Sequence, residues 1–147
     1  MQNPPPGQGY GNQYGAAPAA GASGKSALGL DGNVAAALGY PIGVIAIINL
    51  VMEKENKFVR FHAIQSLVLI ATYIISFIVL MIVGAILTVG LSLIDSSLAI
   101  IGMLVYLLIG LVALAFFAGL IMAAVKAFQG QLFKLPIVGS IAERFNK

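Results

Sequence analysis

Residues 63–94 and 96–125 contain no Asp, Glu, Lys or Arg, and Asp95 alone separates the two runs. No other feature constrains the fold as strongly. An average soluble domain carries about 25% charged residues. This chain of 147 residues carries 9%, with 60% hydrophobic residues. A chain of this size has too much surface to leave uncharged in water. The fold class expected is therefore an all-α membrane protein with three transmembrane helices, a disordered N-terminal tail and a short interfacial C-terminal segment.

The spans are expected at about residues 34–52, 64–91 and 98–125, within a helical membrane domain covering 31–147. The first just crosses a hydrocarbon core of roughly 30 Å at about 1.5 Å per residue. Asp31 or Asn33 is placed to cap its start, and Pro41, which lacks an N–H, predicts a kink inside it. The second and third exceed the roughly 20 residues needed to cross and are joined by a tight turn carrying Asp95, so they are expected to form a hairpin. Ala35, Gly39 and Gly43 recur every four residues, as do Ala115, Gly119 and Ala123. Stripes of this kind let helices approach closely. Residues 1–30 are rich in Pro, Gly, Gln and Ala and cannot bury enough apolar surface to offset ordering entropy, which predicts disorder. Residues 132–142 are too short to span, and Pro136 and Gly139 argue against one continuous helix. This segment is expected at the interface, near headgroups.

A dense polar segment, residues 53–66, lies between the first two runs. It holds Glu53, Lys54, Glu55, Lys57 and Arg60, five of the thirteen charged residues, and the only histidine, His62. A helix starting near Asn56 predicts Phe58 and Phe61 as interfacial anchors, Lys57 and Arg60 at headgroups, and a favourable Glu53–Lys57 pair four residues apart. Arg60, His62, Gln65 and Asn49 form the candidate polar cluster. One reading has His62 and Gln65 bonding a neighbouring helix end. The other places the four around a polar cavity, because ionisable residues at membrane depth are functional candidates. With one His and no Cys, no usual metal ligand set is present. Asp95 lies in the opposite loop, so no acid–base relay is supported. No cofactor, nucleic-acid partner or enzymatic activity is expected. The Gly24-Lys25-Ser26 triplet lacks the upstream glycine of a phosphate-binding loop, since Ala19 stands there.

With three spans, the loop between the first two shares a side with the C-terminus. Lys54, Lys57, Arg60, Lys126, Lys134, Arg144 and Lys147 would then face Lys25 alone. The positive-inside rule puts the loop and C-terminus in the cytoplasm and the N-terminus outside, in a multi-pass cell-membrane protein.

The run from Asp31 to Tyr40, the string Phe58-Val59-Arg60-Phe61-His62-Ala63-Ile64-Gln65-Ser66 and the closing Leu135-Pro136-Ile137-Val138-Gly139 resemble a widespread group of small, functionally uncharacterised prokaryotic membrane proteins. That group is distantly similar to the small channel-type subunit of the chloroplast inner-envelope protein translocon. The resemblance covers about residues 31–143. It implies an all-helical membrane domain, a translocon-like role and no catalytic residues. The expected function is association, as a subunit or accessory factor of a membrane complex. The partners would be the bilayer, its anionic headgroups, and other copies or other membrane proteins. The alternative is a transporter or channel-like subunit using Arg60, His62 and Gln65.

Overall fold

A computed structural model describes residues 18–146. Its helices are α1 (Gly32–Leu38), α2 (Gly43–Met52), α3 (Lys57–Ser92), α4 (Ala99–Phe128) and α5 (Val138–Phe145), with a 3-10 turn at Ser96–Leu98 before α4. The described residues contain no strand beyond an isolated bridge between Lys25 and Asp31.

The two uncharged runs become α3, of 36 residues, and α4, of 30. α3 starts where expected, with the Asn56 side chain accepting from Val59 N at 3.3 Å. The turn between the two helices is closed by Asp95, whose Oδ1 accepts from Ser97 N (2.8 Å) and Ser97 Oγ (2.7 Å). These bonds favour the charged form and hold the Asp95 carboxyl below its ordinary value.

Only 6% of the most apolar stretch of α3 and 11% of that of α4 is buried. A soluble core helix of this hydropathy would be covered. Here Ile75, Ile86, Leu107, Leu114 and Phe117 all stand more than 60% exposed. Helices apolar around their whole circumference and exposed around most of it have lipid as their solvent.

α3 and α4 approach closely at Gly102. A Cβ there would lie 2.5 Å from Thr88 Cα and 2.6 Å from Thr88 N. One step along, Gly84 lies under the Tyr106 ring. The stripe expected on α4 is used unevenly. Ala123 is buried and Gly119 faces Leu135, while Ala115 is exposed.

The segment expected to form the first span departs most from expectation. It is not one kinked helix but two helices, of 7 and 10 residues, interrupted around Pro41. The Asn49 side chain donates to Ala35 O at 2.8 Å. In a continuous helix, fourteen residues would separate them by about 21 Å. The chain therefore turns back at Pro41, and α1 and α2 form a hairpin that enters and leaves at the same end. Ser66 Oγ donates to Gly39 O (2.7 Å), and a Cβ on Gly43 would meet Ile70 Cδ1 at 3.3 Å. The tip thus reaches the Ser66–Ile70 level of α3. Ala35, Gly39 and Gly43 do sit at close approaches, but within this folded-back pair and against α3.

Residues 18–30, expected within the disordered tail, form an ordered loop; the rest of that tail lies outside the described residues. Ala27 N donates to Glu53 Oε2 (2.7 Å), Asn56 Nδ2 to Gly21 O (2.8 Å), and Ala19 N to Gly130 O (2.7 Å). A Cβ on Gly32 would overlap Gly21 O, which is why the loop closes on a glycine there. These contacts bring residues 18–31, 53–56 and 129–146 to one end of the α3/α4 hairpin. The expectation that the chain before residue 34 lies on the opposite side from the 53–57 loop does not survive this geometry. Asp31 precedes α1, but its carboxylate pairs with Lys25 Nζ (2.7 Å) and makes no capping bond.

The C-terminal segment is discontinuous, as expected. Gln131–Leu135 is irregular, Pro136-Ile137 forms a turn, and α5 follows. Val138 N donates to Pro136 O (2.7 Å), and Ile137 between them has φ 65°. A positive φ is strained for a β-branched residue. It leaves the Ile137 side chain 78% exposed.

Candidate polar cluster at one end of the hairpin

The first turns of α3 are enclosed by α1, α2, the end of α4 and α5, so residues 61–66 are all buried. Inside this collar His62 is fully buried. Its ring meets the edges or faces of Phe58, Phe61 and Tyr40 with centroids 4.7, 5.2 and 5.8 Å away. Phe58 and Phe61, expected as interfacial anchors, are instead 1% and 3% exposed and form the walls around His62. The physical reason is the folded-back α1–α2 hairpin, which covers the face of α3 that a straight first span would leave open.

The hydrogen bonds run in one direction. The carbonyl of Gln131 can only accept, so His62 Nε2, 3.1 Å away, carries the proton. His62 Nδ1 is then an acceptor and takes the Tyr40 hydroxyl proton across 2.9 Å. Gln65 Nε2 donates to the Tyr40 oxygen (2.7 Å) and to Phe133 O (3.0 Å), while Gln65 Oε1 accepts from Leu135 N (3.1 Å). Every polar group of Tyr40, His62 and Gln65 is used. The cluster ties two irregular pieces to α3: the Pro41 break and, beyond α4, the Gln131–Leu135 stretch. Gly139 completes the fit, since a Cβ there would come within 2.9 Å of Gln65 Oε1 and 2.8 Å of Lys134 Cβ.

Of the four residues named from sequence, the structure joins His62 and Gln65. Asn49 is buried nearby but serves the α1–α2 hairpin through Ala35 O. Arg60 is half-buried, and its Nε is buried without a hydrogen-bond partner. Sequence reasoning missed the roles of Tyr40 and Ser66, and it gave Glu53 a different partner. Tyr40 carried a signal: a phenol beside a proline inside an apolar run needs a partner when buried. Glu53, expected to pair with Lys57, is turned inward instead. It is 5% exposed and accepts from Ala27 N and Asn56 N, which closes the N-terminal loop over the start of α3.

Charge divides sharply between the two ends. Lys25, Lys54, Lys57, Arg60, Lys126, Lys134 and Arg144 all belong to the collar end, and the far tip carries Asp95. Lys134 pairs with Glu143 at 2.9 Å. Among the described residues no three of His, Cys, Asp and Glu come together. A shallow open cavity of about 310 Å³ lies between the N-terminal loop and the end of α4, lined by Pro18, Ala22, Asp31, Asn33, Phe128 and Gly130 among others.

Comparison with known proteins gives a consistent assignment. A UPF0132 membrane protein of Methanocaldococcus jannaschii is 40% identical over 125 residues, covering 84% of this chain and 96% of the relative. One from Archaeoglobus fulgidus is 38% identical over 113 residues, covering 76% of this chain and 92% of the relative. A second M. jannaschii protein of the same description is 33% identical over 120 residues, covering 81% and 73%. No solved structure matches. These descriptions say membrane protein, which agrees with the two lipid-exposed helices, and the similarity to a translocon subunit has no counterpart in them. Residues 27–142 match one family along almost the whole described length. The chain is a small membrane protein that belongs to the magnetosome magnetite crystal formation protein family, MamF/MmsF.

Proposed function

We propose that this protein acts by association, as a subunit or accessory factor of a membrane complex. In this reading α3 and α4 cross the bilayer, and the α1–α2 hairpin re-enters it from the collar end. The positive-inside rule then makes the collar end cytoplasmic, with residues 18–31 and 129–146 on the same side. The family description ties members to crystal formation in magnetosomes. Carried to this chain, it suggests a membrane component that organises partners.

One observation carries the association reading. The polar cluster is spent on the chain's own backbone, while a large apolar surface and a basic collar face outward. A transport role for Arg60, His62 and Gln65 would need His62 and Gln65 free to meet a solute, and their bonds run instead to Tyr40, Gln131, Phe133 and Leu135. The test is crosslinking in native membranes through Lys54 and Arg144, both exposed. Recovery of a defined homo-oligomer or heteromeric complex is expected. A strictly monomeric protein, with no crosslinked species at any reagent concentration, would overturn the proposal.

A further inference from the structure

The molecule has different widths at its two ends. At the level of residues 61–66 of α3 it is five helices across. α1 runs beside that turn, from Asn33 Nδ2 on Phe128 O (2.9 Å) to Gly39 O on Ser66 Oγ (2.7 Å). α2 runs back from Gly43, beside Ile70, to Glu53, beside Asn56. α4 packs there through Ala123 and Ala127, and α5 through Ala142. α5 ends where Asn146 Nδ2 donates to Lys57 O at 3.0 Å. Deeper than Ile70 and Gly119 only α3 and α4 continue, and beyond Ser66 only Gly84 is buried on α3. At a helix diameter of about 10–12 Å, five helices occupy roughly 450 Å² in the membrane plane and two roughly 180 Å².

The wide part has the surface of an element seated in one leaflet. Ile42, Val44, Ile47 and Val51 are exposed from the start of α2 to its last turn, an apolar face as deep as the collar itself. Elsewhere around the collar, Lys126 and the Lys134–Glu143 pair (2.9 Å) lie at the same level and call for water or headgroups. Apolar and charged groups at one level mark the interface, where headgroups meet the first acyl carbons. Ile137 reaches into the same layer. It is 78% exposed, and its φ of 65° is backbone strain of the kind retained where a side chain must be presented. In the other leaflet α3 and α4 stand alone.

We infer, on the two-span reading above, that the protein is a wedge, and that the lipid surface it fits is a strongly curved bilayer, convex on the collar side. Bulk added at headgroup depth spreads one leaflet and leaves the other unchanged. A flat bilayer must stretch to admit it, whereas a convex leaflet already has the room, so elements seated in the interface are curvature-sensitive. The narrow α3/α4 tip suits the crowded concave leaflet. With the collar cytoplasmic, the fitting surface is an invagination or an internal vesicle, whose cytoplasmic face is convex.

The chain has no cysteine, so one added thiol can report one orientation. Lys54→Cys lies on the collar and Ser96→Cys at the tip, both at exposed sites. Each full-length variant would be reconstituted into giant phosphatidylcholine vesicles and labelled from outside with an impermeant fluorescent maleimide. Dye then marks collar-out copies of the first variant and tip-out copies of the second. A narrow tube pulled outward from such a vesicle has a convex outer leaflet. Collar-out copies should be enriched severalfold on the tube relative to the vesicle body, and tip-out copies depleted severalfold. Equal densities on tube and body would overturn the inference, as would the same response in both orientations or the reverse order. Labelling of single copies at both positions from outside, in the double variant, marks a different failure: the two-span reading itself would fall, and the wedge with it.

Discussion

Gln65→Leu is expected to destabilise the fold by about 3–4 kcal/mol, because it leaves buried main-chain groups without partners at about 1–3 kcal/mol each. The groups are Phe133 O and Leu135 N, with the acceptor side of the Tyr40 hydroxyl also losing its donor. Leucine is close in volume, so the loss reads hydrogen bonding more than packing. Water cannot easily replace the amide, since Gln65 is fully buried and Leu135 is 8% exposed. The measurement is reversible unfolding in mixed micelles, paired with hydrogen exchange. The Leu135 amide should exchange far faster in the variant, while amides in the middle of α4 keep their protection. A substitution that leaves stability unchanged would mean that Gln65 points into an open, hydrated site, and the transport reading would then regain its ground.

The polar segment shows how far sequence reasoning reached. Asn56 as the start of α3 was legible, because a capping side chain before a long apolar run has one straightforward use. The length of α3 and α4 was legible because no charge interrupts either run. The role of Pro41 was not legible. A missing N–H permits a kink or a full reversal equally. What decides between them lies far away in sequence, in Asn49 reaching Ala35 O and Ser66 reaching Gly39 O. The single helix expected over 34–52 is broken at that one residue, and residues 18–31 come to the same end as residues 53–56. The ordering of residues 18–30 was hidden in a similar way. Its composition is that of a flexible tail, yet Gly21 and Gly32 leave room for one another and for Asn56, a fit that no composition records.

The second large effect is expected at the helix crossing. Gly102→Val should cost about 2–4 kcal/mol, the range for overpacking that meets backbone. The first carbon added at this position already strikes Thr88 Cα and N, which cannot turn aside as a flexible side chain would. α3 and α4 must separate or slide, and the Gly84–Tyr106 contact opens with them. Gly102→Ala should therefore also destabilise, by less. Gly110→Ala, on the same helix with no heavy atom within 4 Å of the added carbon, should be neutral or slightly stabilising through helix propensity alone. A spin-label pair on α3 and α4 near residues 84 and 106 would report the separation directly. Equal behaviour of the Gly102 and Gly110 variants would show that the helices do not cross where the structure places them. This crossing was also beyond the sequence reading, which weighed the regular stripe at Ala115, Gly119 and Ala123 and passed over the isolated Gly102.

The folded-back α1–α2 hairpin sets which parts of the chain share an end, and the proposed re-entrant topology depends on it. Single cysteines at Lys25, Lys54, Asp95 and Arg144, introduced one at a time into the cysteine-free chain, can be labelled in sealed, oriented membrane vesicles with an impermeant thiol reagent. Positions 25, 54 and 144 should react together from one side, with position 95 reacting only from the other. Reaction of position 25 from the same side as position 95, and opposite to position 54, would contradict the re-entrant hairpin and restore a first helix that crosses the membrane.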